Sequence, residues 1–367
     1  MTTISDIKIT RELLGTSANA EVKKIISNFH NGKIPNICPM EFSFNLNNTT
    51  LQFANAFRRE MYLVWGWTFK VIAFDPSTTE NMVSILFIKN ELENLRVPFA
   101  DSKLLETLEY KIDIQNNTPI SRYVRLEEMT TSTNLNGIEL FDPKIIISMV
   151  RPGDILRMTI GFEYGDPKQN VKFSQVSRVV FKYNDIPLLP ESETHLRDSK
   201  NAYNSGYTVP SVQLNPTSFQ FSGVVTVTNN ESKNVLYSIL NYTCQSLIDK
   251  FSIIGALNKK HQKSDTETVT FQNLYLNIIQ LDNGLNEATM HIYNECHSLG
   301  GLFCRYVIDI EPNISFVVYK VIVHEKKLEI KIKYDSNINQ LINKVVSKSL
   351  EELERLKTEI ISLSDSI

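Results

Sequence analysis

The stretch Glu41-Phe42-Ser43-Phe44-Asn45-Leu46 alternates polar and apolar side chains, which predicts a half-buried strand. Asn47-Asn48-Thr49-Thr50 follows and supplies turn and helix-capping residues. From Leu51 the period changes. Phe53, Phe57 and Met61 recur at every fourth position beside Ala54, giving one apolar face of a helix that also carries Arg58 and Arg59. The middle of the chain reads as strands at 120–126, 144–150, 155–163 and 171–183, separated by the turn sequences Arg151-Pro152-Gly153-Asp154 and Gly165-Asp166-Pro167. Residues 185–218 have no period and are punctuated by Pro187, Pro190, Pro210 and Pro216, the pattern of a long functional or mobile loop. A short strand at 224–227 precedes Val235, Leu236, Ile239, Leu240, Leu247 and Phe251, which predict a helix over 232–254.

The segment 258–268 (NKKHQKSDTET) has no apolar residue and reads as a linker. After it the pattern starts again. Strands are predicted at 273–279 and 288–293, joined through Asn283-Gly284. Leu299, Leu302, Phe303, Tyr306 and Val307 mark an amphipathic helix, 328–334 alternates as a strand, and a helix is predicted over 337–361. Both halves thus run strand, short helix, further strands, long final helix, and the first carries a β-rich insertion. Pattern alone fits two readings equally: similar units pairing as a pseudo-dimer, or two unrelated α+β domains. The first 35 residues read as an N-terminal extension with one helix around 20–29.

Composition narrows the function classes. The 367 residues are 42% hydrophobic and 22% charged, a folded chain. Lysine and arginine total 38 against 41 acidic residues, a net charge of −3, which disfavours bulk electrostatic binding of nucleic acid. No apolar run reaches the ~18 residues needed to span a membrane, and MTTISDIKIT lacks a basic-then-apolar leader, so free thiols in a reducing compartment are expected. Cys38, Cys244, Cys296 and Cys304 contain no C-x-x-C, the six histidines form no H-x-x-x-H, and neither a Walker loop nor G-x-S-x-G occurs. The expectation is no metal, no cofactor and no catalytic site.

Specific motifs carry a resemblance. Leu51-Gln52-Phe53-Ala54-Asn55-Ala56-Phe57-Arg58-Arg59-Glu60-Met61 resembles the A-N-x-x-R-R helix of the α-like RNA polymerase subunits: bacterial α, archaeal D and the third-largest subunit of eukaryotic polymerase II. Val150-Arg151-Pro152-Gly153 and Asn170-Val171-Lys172-Phe173-Ser174-Gln175-Val176 are similar to motifs of that family's insertion domain. Asn294-Glu295-Cys296-His297-Ser298-Leu299-Gly300-Gly301-Leu302-Phe303 resembles the N-E-D-H-T-L-G-N-L-L motif of the small partner, archaeal L and its eukaryotic counterpart. Pro312-Asn313-Ile314-Ser315-Phe316-Val317-Val318-Tyr319 and His324 follow the same partner, with Glu325 in place of a proline. Both sets on one chain look like the fused subunit of large cytoplasmic DNA viruses. Asn170 stands for a family histidine, Glu91 for a family arginine, and the metal-binding cysteines of some relatives are missing.

The resemblance implies an α+β fold of two α-like dimerisation units on one chain, forming a pseudo-heterodimer with packed helices. The expected division is an extension at 1–35, a D-like half at 36–257 with its β-rich insertion at about 100–222, a linker at 258–268 and an L-like half at 269–367. It implies a non-catalytic assembly subunit of a DNA-directed RNA polymerase, in the virion and host cytoplasm if viral. The implied partners are the largest and second-largest subunits and two small zinc-binding subunits, with no sequence-specific nucleic-acid contact and no membrane. Asn55, Arg58, Arg59 and Lys172 are the expected partner-binding residues. Phe53, Phe57, Met61, Leu299, Leu302 and Phe303 are the expected dimerisation core. Outside that family, a viral structural or scaffold protein and a free-standing enzyme with a convergent site are the other classes. His297, at a helix start, reads as a local structural residue.

Overall fold

The computed structural model describes residues 2–10, 37–79, 84–97, 102–131, 133, 140–184, 217–228, 232–264, 267–272, 274–281 and 284–365. The expected helix at 20–29 and nearly all of the 185–218 loop lie outside them.

The chain opens with β1 (Thr3–Thr10), β2 (Ile37–Asn47) and α1 (Leu51–Met61). Thr50 starts the helix: its Oγ1 accepts the Phe53 N–H at 3.2 Å, satisfying one of the free amides of the first turn. Then come β3 (Gly66–Phe74), α2 (Ile85–Glu93), β4 (Arg96–Val97), α3 (Ser102–Thr107), β5 (Tyr110–Gln115), β6 (Arg122–Arg125), β7 (Ile146–Val150) and β8 (Ile155–Gly165). β9 (Val176–Tyr183), β10 (Phe219–Thr228) and α4 (Ser232–Gln262) complete the first half. The second contains β11 (Thr268–Phe271), β12 (Leu274–Gln280), β13 (Asn286–Tyr293), α5 (His297–Ile310), β14 (Phe316–Ile322), β15 (Lys327–Tyr334) and α6 (Ile338–Asp365).

Two sheets repeat one topology. The first has strand order β1-β2-β10-β9 and the second β11-β12-β13-β15-β14, all antiparallel. Omit β11, and each half is two paired strands, a short helix, two further strands that add beside the second, and a long helix. β2 corresponds to β13, α1 to α5, β9 to β14, β10 to β15 and α4 to α6. Each helix also packs against its counterpart, α1 on α5 and α4 on α6.

Alternation explains which face of the first sheet is inward. Phe42, Phe44 and Leu46 are buried, and Phe219 and Phe221 face them in register, with Phe44 stacked 4.8 Å from Phe221. A single apolar core runs from Ile4 and Phe42 through Phe251 to Leu299, Ile330 and Ile360, so both halves share it. A separate core, from Trp67 to Ile160, lies in the region β3–β8.

The helix period and the strand alternation place α1, α5, α6 and most strands where the structure has them. Four differences have physical causes. The region 1–35 is not all extension, because β1 pairs with β2 as the sheet edge. The second core begins at Trp67, well before residue 100, and β9 and β10 belong to the first sheet, so the insertion spans β3–β8 and not 100–222. β3 hides in the sequence because its first four residues are all buried and give no alternation. The linker expected from 258 is helix as far as Gln262. Asn258 is buried there, and its Nδ2 donates to the Asn339 carbonyl at 2.8 Å and to Asn343 Oδ1 at 2.9 Å, joining α4 to the start of α6.

Candidate functional site

The three parts of the molecule meet at one groove, and helix geometry places its arginines there. α1 buries Phe53, Phe57 and Met61, so Arg58 and Arg59, about 100° apart on the helix, fall at the margin of the buried face. Both are half-buried. Arg58 Nη2 donates to Asn55 Oδ1 at 3.1 Å, one turn back, and Arg59 Nη2 lies 3.7 Å from Cys296 Sγ in the second half. Among the described residues neither guanidinium is paired with a carboxylate. The groove holds about 860 Å³ and is lined by Tyr62, Lys168 and Glu295 among others.

Its rim is shaped by two left-handed residues. Asn294 (φ 60°) and Lys326 (φ 49°) both lie in that region, and the Asn294 N–H donates to the Lys326 carbonyl at 2.6 Å. Asparagine tolerates this conformation through its short polar side chain. Lysine has no such relief, and its strain of about 1 kcal/mol or more is held by the β14–β15 hairpin around it.

Beneath the groove lies a line of alternating charge that the sequence did not announce. Glu60 is 1% exposed and accepts from Lys250 Nζ at 2.6 Å, and Ser246 Oγ donates to its other oxygen at 2.9 Å. Lys250, 13% exposed, also reaches Glu295 at 3.1 Å. Glu295 in turn lies 3.5 Å from Lys168, just beyond β8. First half, second half and the turn that leaves the insertion thus contribute to one network. Burial alone would lower the Lys250 pKa, but the two carboxylates outweigh it and hold the ammonium above its ordinary value. The only hint in the sequence is the i, i+4 spacing of Ser246 and Lys250 on one helix face.

The other expected residues are placed as follows. Lys172 sits in a short 3₁₀ turn, 3.4 Å from Glu163 and over the Phe173 ring, with its side chain largely buried, apart from the arginines. Asn170 starts that turn by accepting the Lys172 N–H. Phe53, Phe57, Met61, Leu299, Leu302 and Phe303 are all buried in the shared core. Phe57 makes its ring contacts within its own half, with Phe53 on the same helix and with Phe44 and Phe221 of the sheet. A ring contact across the halves is made by Phe251 and Tyr306, edge to face at 5.9 Å. His297 rests its ring edge-on against Tyr319. Burial pushes the thiols of Cys244 and Cys304 up to about 12, which leaves them protonated at neutral pH. Among the described residues, no cluster of three or more His, Cys, Asp or Glu could hold a metal ion, and no helix is long and apolar enough to cross a membrane.

No protein-family model matches the chain. It is 22% identical over 219 residues to the protein named DNA-directed RNA polymerase RPB3-11 homolog of African swine fever virus (isolate Tick/South Africa/Pretoriuskop Pr4/1996), covering 58% of this chain and 56% of that one. To the protein of the same name from isolate Pig/Kenya/KEN-50/1950 it is 22% identical over 282 residues, 75% of this chain and 73% of that one. The chain therefore spans little more than half the length of the first relative. By motif and by alignment alike, it is similar to viral DNA-directed RNA polymerase RPB3-11 homologs.

Proposed function

We propose that this chain is a non-catalytic assembly subunit of a multisubunit, DNA-directed RNA polymerase. In this reading the halves 36–257 and 269–367 are D-like and L-like units, paired within one chain as a pseudo-heterodimer. The observation that carries it is the repeated topology, with each helix packed on its counterpart over one shared core. Pairing of equivalent elements about a common axis is how closed dimers are built. The similarity to viral RPB3-11 homologs supports the polymerase assignment.

The paired helices then serve as a platform for the largest and second-largest subunits, with the small zinc-binding subunits attached beside them. Nucleotidyl transfer belongs to the large subunits. Arg58 and Arg59 are the contact points on this side, with Asn55 orienting Arg58. Two half-buried guanidiniums without carboxylate partners among the described residues are suited to acidic groups and backbone carbonyls of another protein, since a planar fork binds both bidentately. Lys172, occupied by Glu163, contributes position more than free charge.

Purifying the tagged chain from its native source tests this: the large polymerase subunits should accompany it. Arg58→Glu/Arg59→Glu should leave the chain folded at a cost of about 0.5–3 kcal/mol, since both side chains are half-buried. It should deplete the variant from the assembled enzyme, because reversing an interfacial charge costs about 2–5 kcal/mol. Recovery of the double variant in complete polymerase at the parent level would refute the contact.

A further inference from the structure

Beside the arginine groove lies a patch of opposite character, and we infer that a partner protein docks an arginine side chain there. Trp65 stands between α1 and β3, and Trp67 pairs with Tyr164 across β3 and β8. The Tyr164 ring lies 5.5 Å from Trp65 and 5.1 Å from Trp67. Trp67 is buried and backs the other two, whereas Trp65 is 37% and Tyr164 45% exposed. Tyr242 of α4, 38% exposed, is within electrostatic reach of Tyr164. A lone exposed apolar side chain is ordinary on a protein surface. Neighbouring exposed tryptophan and tyrosine rings are not, and such rings are the usual anchors of protein interfaces.

Charge selects the occupant. Asp166 follows Tyr164 closely in the chain, and Asp249 stands two turns beyond Tyr242 on α4, where both line a small cavity of about 220 Å³. Asp166 accepts the Lys168 N–H at 2.8 Å, and Asp249 accepts from Gln245 Nε2 at 2.7 Å. Among the described residues neither carboxylate is in an ion pair. Burial raises the Tyr242 pKa first, and Tyr164, Asp166, Asp249 and Glu60 raise it further, as a site of negative potential would. The faces of the rings are themselves negative and attract cations, tryptophan most of all. A guanidinium can lie flat on such a ring and donate to a carboxylate at the same time. An apolar side chain would strip water from the carboxylates without replacing it, and an acidic one would be repelled. Asp166 also lines the arginine groove, so the two contacts form one surface. A partner that offers acidic groups to Arg58 and Arg59 and an arginine to the rings is held in a single orientation. The inference thus adds a second contact to the proposed platform, and it rests on that reading only for the identity of the partner.

Trp65 and Trp67 are the two tryptophans of the chain, so the patch carries its own reporter. The full chain is labelled with fluorotryptophan, and Trp65→Phe assigns the two fluorine resonances. Tri-arginine amide at low salt should shift the Trp65 resonance saturably. Tri-lysine amide should do so more weakly, and tri-glutamate and Gly-Leu-Gly should leave it in place. Asp166→Asn/Asp249→Asn keeps both hydrogen bonds, because an amide oxygen still accepts, and should weaken binding of the arginine peptide on the order of tenfold. Tyr242→Leu keeps the apolar bulk, removes one ring face and should weaken it severalfold. Absence of a shift with the arginine peptide, unchanged affinity in either variant, or an equal shift with the leucine or glutamate peptide would overturn the inference. This titration needs no polymerase subunit. If the tagged parent is purified without the large subunits, the assembly reading fails and the titration still decides this one. If the large subunits accompany the parent, Asp166→Asn/Asp249→Asn should be recovered with them severalfold less, and recovery at the parent level would overturn the docking.

Discussion

At the scale of single residues, two adjacent glycines in α5 have opposite roles. A Cβ on Gly300 would lie 2.6 Å from the Tyr319 ring and 2.8 Å from Leu328, well inside contact distance. The helix sits that close to β14 and β15 only because Gly300 has no side chain. Gly300→Ala should therefore lower stability by about 1–3 kcal/mol, the usual cost of overpacking. The nearest atom to a Cβ on Gly301 is 3.5 Å away, an ordinary contact. Gly301→Ala should be neutral or stabilise by up to about 1 kcal/mol through helix propensity. Urea denaturation of both variants checks the contrast, and equal effects would refute the close-approach argument. The motif around Leu299 made these glycines visible in the sequence, but not which one was crowded.

Lys250 makes a second prediction at this scale. Removing it leaves Glu60 buried with only the Ser246 hydroxyl as partner and no cation, so Lys250→Met should cost about 3–5 kcal/mol at pH 8. The sign of its pH dependence follows from a folded pKa raised above the ordinary 10.5. The ammonium's contribution is fully present below that ordinary value and is lost as pH rises through the raised one. Parent and variant stabilities should therefore converge on the alkaline side of 10.5. Denaturation of both proteins across pH 8–12 measures this, and a gap that stays constant would exclude the ion network as the cause.

At the scale of elements, the halves meet where α1 packs on α5 and, more extensively, where α4 packs on α6. Leu302 is buried in the core that both halves share. Leu302→Asp adds the desolvation of an unpaired carboxylate to the lost packing, together more than the about 2–5 kcal/mol of a leucine truncation. In a chain nicked after Lys263, in the turn that follows α4, this variant should separate into fragments on gel filtration, while the parent fragments co-elute. Severing the tether removes an effective concentration on the order of millimolar, so only the packed faces hold the fragments together. The periodic residues were legible as helical faces. That α4 continues to Gln262 was not, because the polar run after 258 buries its amide through hydrogen bonds and not through apolar area.

At the scale of the whole molecule, the first strand and the last helix are joined. Thr2 is buried; its hydroxyl donates to Glu352, and Arg355 Nη2 donates to its carbonyl at 3.2 Å. The Ile4 N–H donates to Glu359 at 3.2 Å. β1 also covers the outer edge of β2. Deleting residues 1–10 should lower the melting temperature by several degrees and promote self-association, since an uncovered strand edge is a pairing template. Calorimetry and light scattering on the truncated chain test both effects. Unchanged melting and solubility would mean that β1 is dispensable.

The sequence determined the local grammar of this protein. Side-chain periodicity depends only on neighbours along the chain, so the strand at Phe42–Leu46, the helix from Leu51 and the two long helices could be read directly. Motifs of contiguous residues, such as that from Leu51 to Met61, likewise carried the polymerase resemblance. Tertiary structure decided the rest. The strand order of each sheet, the pairing of α1 with α5, and the entry of β1 and β9 into the first sheet depend on segments far apart in sequence. The charged line from Glu60 through Lys250 and Glu295 to Lys168 spans 235 positions of the chain and leaves no periodic trace. An ionisable side chain becomes a buried, paired charge only when folding removes its water and supplies its partner, and both events lie beyond the reach of any local pattern.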